Sequence, residues 1–485
     1  MHCMTASLTT NAPSDQTMWT DHDSVRALPD RYRTVPPGQL PPFWDPVIAR
    51  MLRNAPHLLA AAVAQYGSPL NVLWPHALRN NVAALRAVLA THCVQAEIFY
   101  GAKVNKSQAL VKAAVMAGVG IDVSSRHELR DALRAGADAL RICATGPAKT
   151  EAFHEQLLAH GALISVDSLE ELDDVCACLR RAPAGRHARV LLRYCPDSAR
   201  GSRFGMAADT VVQGLKHIAS ATERLAFEGF HFHLSGYGWE TRAQALRELL
   251  PLIDAADSMG LTTTMIDIGG GLPVRYVDPD VYTEFLQSQR PEHYRNGIVP
   301  ASFYPYGGHI DAATWLDDFL NAPCTAGQSI AAWLRAGGVT LALEPGRCLA
   351  AQAGITVFRV TRSKPLGDGR HVVFVEGSSF SACETWFASE FLADPAWISA
   401  VPPRTVGARP VQAYIAGHSC LDEDVLTNRL LPFGGLPHPG DLLVYANTAG
   451  YQMDLLENEF HRHPMPRRVA AQCGDAGRVS FSLDQ

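Results

Sequence analysis

Residues 99–115 read FYGAKVNKSQALVKAAV, and the parsing of this stretch decides the fold. Phe99 and Tyr100 read as the end of a buried strand, and Ser107 to Val115 as the start of a helix. Lys103 falls between them, where strand hands over to helix, and ordinary packing gives no reason for an ammonium group there.

The same beat of β-branched run, turn and amphipathic helix continues down the chain. The apolar runs are EIFYGA (97–102), GIDVSS (120–125), LRICAT (140–145), LISVDS (163–168), RVLLRY (189–194), FEGFHFHL (227–234), TMIDIGGG (264–271) and LALEPG (341–346). SQALVKAAVMAG, RHELRDALRAG and SLEELDDVCACL are helical patterns between them. Eight such strands over roughly 250 residues predict a (β/α)8 barrel. A doubly wound sheet would also alternate, but no G-x-G-x-x-G joins the first strand to the first helix, so the barrel is preferred.

At 485 residues the chain is too long for one ordinary core, and two domains are expected. Residues 1–57, rich in Pro, Asp and Thr and including VPPGQLPPFWDP (35–46), read as an N-terminal arm. Residues 58–75 carry the strand PLNVLW, expected to join a β-domain; residues 76–345 form the barrel, and residues 346–485 the C-terminal β-domain. The aromatic stretch near 283–325 reads as an insertion over the barrel mouth.

Composition narrows the function. With 47% hydrophobic and 19% charged residues the chain is globular rather than disordered, and its net charge of -6 gives no reason to expect nucleic acid or an anionic membrane as partner. No apolar run reaches membrane-span length, and the polar N-terminus lacks a signal-peptide core. Eleven cysteines without framework spacing suit reduced thiols in the cytoplasm. Cys176 and Cys178 lie in a helical pattern, which disfavours zinc.

In such a barrel the chemistry gathers at the C-terminal ends of the strands. Lys103, His233, Gly269, Gly270, Gly271, and the Glu344-Pro-Gly346-Arg347 run all fall there. Taken singly, each has a structural explanation: a solvated lysine, a satisfied core histidine, a tight glycine turn. Together they ask for an anion and an aldehyde. The glycines offer backbone N–H groups to a phosphate, ideally at a following helix N-terminus, and Arg347 offers a guanidinium. A phosphate-bearing cofactor that needs a lysine is pyridoxal 5'-phosphate, with Glu344 keeping its pyridine nitrogen protonated and His233 lying against the ring. His231 and His233 share one strand face, but without a third ligand of convincing spacing no metal is expected.

The ordered motifs resemble the fold-type III pyridoxal phosphate-dependent decarboxylases, the family of diaminopimelate, ornithine and arginine decarboxylases, over about Tyr66–Val469. FYGAKVN, GIDVSSRHEL, ICATGPAKT, SVDSLEEL, SRFGM, FHFHLSGY, DIGGGLPVRY, EPGRCLAAQAG, GHSCLDEDVL and GDLLVYANTAGYQMDLLENEFHRHPMP follow in family order, the chain looking like an outlying member nearest diaminopimelate decarboxylase. The resemblance implies an alanine racemase-like fold, a barrel plus a β-domain, in a homodimer with shared active sites and an amino acid as its small-molecule substrate. By the motif match Lys103 would hold the cofactor aldehyde as a Schiff base, and Glu344 would face the pyridine nitrogen. His233 would stack on the ring, and Gly271, Gly346, Arg347 and Tyr451 would surround the phosphate. Cys420, from the partner subunit, would handle the proton after CO2 leaves. Asp422, Asp424 and Tyr451 are expected to contact substrate.

The departures fall on recognition. Leu421 follows Cys420 where many relatives carry an acid, and FVEGSSFSACETWFASEF (374–391) lacks the arginine that helps hold the distal carboxylate of diaminopimelate. H-L-S-G replaces H-x-G-S, so Ser235 is shifted by one relative to the phosphate, and either Ser235 or the backbone of Gly236 is expected to compensate. A substrate other than meso-diaminopimelate is therefore expected. An amino-acid racemase or epimerase of the same fold is the alternative activity, although racemases place an arginine where Glu344 stands. A catalytically inactive relative acting as a binding protein is the third reading.

Overall fold

The computed structural model describes residues 38–382, 389–400, 410–455, 459–474 and 478–484. Residues 1–37 of the expected arm, and residues 383–388 of the stretch without arginine, lie outside them. The chain divides into two units, one formed by residues 79–273 and 310–349, the other by 1–78, 274–309 and 350–485.

In the first unit eight strands close into a barrel: Ala96–Gly101, Gly120–Val123, Ile142–Ala144, Leu163–Val166, Ala188–Arg193, Leu225–His231, Met265–Asp267 and Thr340–Leu343. All neighbours pair in parallel, and the eighth strand closes the ring by pairing with both the first and the seventh. Each strand overlaps one of the apolar runs of the sequence. Strands covered on both faces have no solvent side, which is why they read as runs rather than as alternation. Phe99, Cys143, Leu163, Leu191 and Ala342 meet as a buried cluster.

Serines start the helices that follow three of the strands. Ser107, Ser125 and Ser168 each accept a backbone N–H three residues on, from Leu110 at 3.2 Å, Glu128 at 3.2 Å and Glu171 at 3.1 Å. Each bond satisfies one orphan donor of the first turn and fixes where strand turns into helix. The strand-to-helix turns, where the chemistry must lie, are therefore set locally by sequence.

The second unit is built on a nine-stranded sheet. Its main path runs Val425–Phe433, Val411–Ala416, His371–Glu376, Gly354–Pro365, Leu70–Leu73, Arg467–Cys473, Val479–Leu483. Leu442–Ala446 also pairs with Gly354–Pro365, and Ala396–Ile398 pairs with it in turn. Leu70–Leu73 lies antiparallel to Gly354–Val357 and parallel to Arg467–Ala470. The protein thus has the (β/α)8 barrel and the separate β-domain that the sequence predicts.

Two segments differ from the sequence expectation. Regular structure begins before Leu58: Pro46–Asn54 is a helix capped by Asp45, whose Oδ1 accepts from Val47 N at 2.8 Å, and it buries Ile48, Met51 and Leu52. Its prolines, read as a linker, stand at and before the first helical position, where a missing N–H costs nothing. The expected insertion is divided, with residues 274–309 in the strand unit and helix Ala312–Asn321 in the barrel unit. Tyr276, Tyr282, Tyr304, Tyr306 and Phe391 form a mesh of ring contacts 5.0 to 6.3 Å between centroids, so this segment buries its aromatics within the strand unit.

Candidate active site

Lys103 sits in a 3-10 turn, Ala102–Val104, at the end of the first barrel strand. Ala102 and Val104 are buried and anchor the turn, which leaves the Lys103 side chain 39% exposed. Its Nζ donates to Asp122 Oδ2 at 2.8 Å from the neighbouring strand. Thr145 Oγ1 donates to the other Asp122 oxygen at 2.5 Å. Burial, and then the charge of Glu344, push the Asp122 carboxyl above its ordinary range, while Lys103 and Thr145 pull it back. The carboxyl thus orients the amine, and Lys103 has a reason for its place.

Glu344 directly follows the eighth strand, 4% exposed. Its Oε2 lies 3.7 Å from His233 Nδ1 and its Oε1 3.6 Å from His231 Nε2, both beyond hydrogen-bond distance. Burial works against its charge, but the surrounding His231, His233 and Lys103 outweigh it and hold the carboxyl well below the usual carboxylate range. Burial pushes the titration of His231 well below its ordinary range while the Glu344 charge pulls it back, so the two groups titrate as a pair. Asp267 goes the other way: burial, then the Glu344 charge, raise its carboxyl well above the ordinary range. The two buried acids therefore divide their roles, with Asp267 protonated and Glu344 ionised. Glu344 Oε1, His231 Nε2 and Asp267 Oδ2 are buried without a hydrogen-bond partner among the described residues.

The glycine run is required by close approach. A Cβ on Gly270 would stand 2.5 Å from the Glu344 carbonyl oxygen, and one on Gly269 2.6 Å from His233 Nδ1. On Gly271, where φ is +83°, it would overlap the Arg242 guanidinium. The N–H groups are not all offered outward, however. Gly269 N donates to Asp267 Oδ1 at 2.8 Å and Gly270 N to His233 Nδ1 at 3.2 Å, which leaves Gly271 N–H uncommitted among the described residues. Nor does a helix start after the glycines, since the next begins at Pro279. A different helix meets the anion-site requirement. Trp239–Ser258 starts three residues after Gly236, with Gly238 as N-cap and no side-chain cap on its first-turn N–H groups.

Arg242 in that helix escaped the sequence reading. It is fully buried and donates to four carbonyls, Leu234 at 2.8 Å, Gly236 at 2.9 Å, Gly238 at 2.9 Å and Gly270 at 3.1 Å. It therefore ties the Ser235–Gly236 loop to the glycine run, at a cost visible in its titration, which burial pushes down to about 10. Asp122, Asp267 and His231 were likewise not singled out for the site. The buried Arg193, which donates to Asp167 Oδ1 at 2.8 Å at the end of the fifth strand, was also missed.

The barrel unit thus brings together Lys103, His233, Gly269, Gly270, Gly271 and Glu344, with Ser235, Gly236, Gly346 and Arg347 on the same unit. Arg347 and Gly346 are buried, whereas Ser235 and Gly236 are exposed. Cys420, Asp422, Asp424 and Tyr451 belong to the strand unit. There Asp424 is buried, its two oxygens accepting from Ser379 N at 2.7 Å and Ser419 N at 3.0 Å. It fastens the Cys420 loop instead of offering a carboxylate to substrate. The Asp422 side chain is 91% exposed and lies 3.3 Å from the Arg295 guanidinium, which also holds Glu423 at 2.9 Å. Tyr451 occupies a left-handed turn with φ +75°.

Glu344 is also the third group that the His231–His233 pair lacked in sequence, and the three sets of donor atoms lie within 4.8 Å of one another. The lone pair of His233 Nδ1 is already used by the Gly270 N–H, so this set is poorly built for a metal ion. A buried, unpartnered carboxylate oxygen beside an oriented lysine fits a protonated ring nitrogen and an aldehyde instead.

A barrel with that pairing at its strand ends defines a pyridoxal phosphate-binding protein. Residues 77–299 match the model of the pyridoxal-dependent decarboxylase family's pyridoxal binding domain. The chain is 57% identical over 445 residues to the uncharacterized protein y4yA of Sinorhizobium fredii, covering 92% of this chain and 96% of that one. It is 25% identical over 439 residues to the diaminopimelate decarboxylase of Halalkalibacterium halodurans, covering 85% and 89%. In fold it resembles the diaminopimelate decarboxylase of Helicobacter pylori complexed with L-lysine, with a TM-score of 0.68 at 17% identity over 87% of this chain and 95% of that one. The chain belongs to the fold-type III pyridoxal-dependent decarboxylase family, and its cofactor is pyridoxal 5'-phosphate.

Proposed function

We propose that the protein is a cytoplasmic, homodimeric pyridoxal phosphate-dependent decarboxylase of an amino acid other than meso-diaminopimelate. The observation that carries this reading is the ionised, buried Glu344 with an unpartnered Oε1, on the same barrel rim as Lys103. When bound, the cofactor supplies an aldehyde for the substrate amine and a ring that accepts the electron pair released with CO2.

This chain's residues do the rest. Lys103 Nζ, oriented by Asp122, is the amine that takes the aldehyde. Glu344 would accept a hydrogen bond from the protonated ring nitrogen and, because it stays ionised, would keep that proton on the ring. Its charge is what an electron sink needs and what a racemase avoids. His233 offers its ring face, fixed by the Gly270 N–H. Ser235, Gly236, Gly271, Gly346, Arg347 and the open N-terminus of Trp239–Ser258 would hold the phosphate. The roles of Tyr451 and of Cys420, as proton donor to a second copy's site, rest on the motif match alone.

Substrate choice follows from the strand-unit loop. Leu421 is exposed beside Cys420, and Asp422 and Glu423 are both engaged by Arg295. This loop offers an apolar side chain and neutralised acids, which disfavours a substrate with a distal ammonium group. The scattered cysteines suit a reducing compartment.

The test is NMR of the cofactor-loaded protein with L- and D-amino acids in D2O. An amine carrying one deuterium at the former α-carbon supports the proposal and identifies the substrate. Deuterium at the α-carbon with the carboxylate retained would mean racemisation. Lysine formed readily from meso-diaminopimelate would overturn the substrate assignment.

A further inference from the structure

Cys420 has a neighbour that the proposed reaction has not used. Its Sγ lies 3.2 Å from His461 Nε2, a thiol–imidazole contact within the strand unit. Both partners are held from behind. The Cys420 loop is pinned by Asp424, which accepts from Ser379 N and Ser419 N, and by Leu421 N donating to Ser419 Oγ at 3.3 Å. The His461 ring stacks on Phe460 with centroids 4.3 Å apart.

The backbone beneath His461 is also unusual. His461 and Arg462, neither a glycine, adopt φ of +58° and +63° in succession. L-residues avoid this region, and side chains held there mark places where the surrounding structure over-determines a conformation, often for function. Here the left-handed turn carries the imidazole that meets the thiol.

Other titrating groups surround the pair. His463 lies 6.4 Å from His461 and stacks on His418 at 3.7 Å, and His418 Nδ1 accepts from Gly377 N at 3.1 Å. Burial first, then His463, depress the titration of His418, while Asp424 and Glu376 act on it in the opposite sense. Asp422 and Glu423 are engaged by Arg295, and Arg462 follows His461 directly in the chain. His461 is thus the ring in this cluster that makes direct contact with the Cys420 sulfur.

We propose that His461 is a positioning and proton-relay residue for Cys420, forming a thiol–imidazole pair that recharges the thiol after each turnover. The inference rests on the decarboxylase reading above. In the step concerned, the Cys420 S–H bond breaks as a C–H bond forms at the substrate carbon that has lost CO2. The thiolate left behind takes the Nε2 proton of the His461 imidazolium, which leaves the ring neutral, and solvent returns a proton to the ring. No oxidant or reductant is needed.

The experiment measures iodoacetamide labelling of Cys420, followed by mass spectrometry of its peptide, in full-length cofactor-loaded protein without substrate across about pH 5–9. Three proteins are compared: wild type, His461→Asn and His463→Asn. Asparagine tolerates left-handed backbone, so the first variant removes the ring while keeping the turn. Wild type is expected to show a second inflection beneath the thiol's own rise. His461→Asn should lose that inflection and label at least fivefold more slowly at pH 7, while His463→Asn stays within twofold of wild type. Coincident profiles for wild type and His461→Asn would overturn the pairing. An equal change in His463→Asn would also overturn it, by making the effect one of the cluster's charge.

Amine formation is scored separately in the same preparations. Amine from wild type with coincident profiles refutes the pair and leaves the decarboxylase reading standing. The expected profile difference without amine from any substrate refutes the decarboxylase reading, and with it the relay.

Discussion

Replacing Arg242 by methionine keeps the buried stem and deletes every donor of the guanidinium. Four carbonyls lose a partner, those of Leu234, Gly236, Gly238 and Gly270. Gly236 and Gly238 are exposed or half-buried, so water can replace the lost bonds, whereas Leu234 and Gly270 are buried. Leaving a buried acceptor unsatisfied costs about 1–3 kcal/mol, so two such groups give about 4 kcal/mol. In a barrel-sized unit each kcal/mol moves the melting temperature by roughly 2–4 °C, for an expected fall of about 10 °C. The same change releases Gly236 from Gly270, so pyridoxal phosphate should be retained at least tenfold less tightly. Circular dichroism melts and cofactor absorbance after dialysis measure both quantities. Arg242→Lys, which keeps the charge but cannot reach all four carbonyls, should fall between. A methionine variant that melts within 2 °C of wild type and holds cofactor equally well would refute the clamp.

Glu344→Gln should fold and still bind cofactor, because it removes a buried charge without changing shape. Its turnover should fall by about 10²–10³, as for loss of one preorganised electrostatic partner, and a rate within threefold of wild type would count against Glu344. Gly270→Ala would place a Cβ 2.5 Å from the Glu344 carbonyl, so weakened cofactor binding and a lower melting temperature are expected by absorbance and calorimetry. His231 gives a pH signature. Its neutral form is favoured by burial, so the unfolded chain binds the extra proton below about pH 6.5, and stability present above that value is lost as pH falls. Asp267, protonated in the fold, has the opposite slope, so the comparison must be with His231→Gln. Between pH 6.5 and 5, wild type should lose about 2 kcal/mol more than the variant in urea titrations, at roughly 1.4 kcal/mol per pH unit. Equal losses would show that His231 does not titrate on unfolding.

The barrel was legible because strands buried on both faces leave unbroken apolar runs, with serine-capped helices between them. Lys103 and Glu344 stood out because each ends such a run. Arg242 did not, since WETRAQALREL places it among other charged residues, and sequence alone does not show which face of that helix is turned inward. Asp122 and Asp267 were hidden for a related reason. A single acid within GIDV or MIDIG looks like solvent alternation until closure of the barrel puts it inside. His231 was considered only as a metal ligand, because its hydrogen-bond partner Ser165 and its neighbour Glu344 come from strands distant in sequence. The helix Pro46–Asn54 was concealed by the prolines that precede and start it.

The proposed reaction depends on Lys103 holding the cofactor aldehyde on the barrel rim. Borohydride reduction of the pyridoxal phosphate-loaded protein, followed by peptide mass spectrometry, tests it most directly. A phosphopyridoxyl group is expected on Lys103, lost in Lys103→Ala together with the visible cofactor absorbance. A label on Lys106, Lys112 or Lys149 with Lys103 unmodified would contradict it.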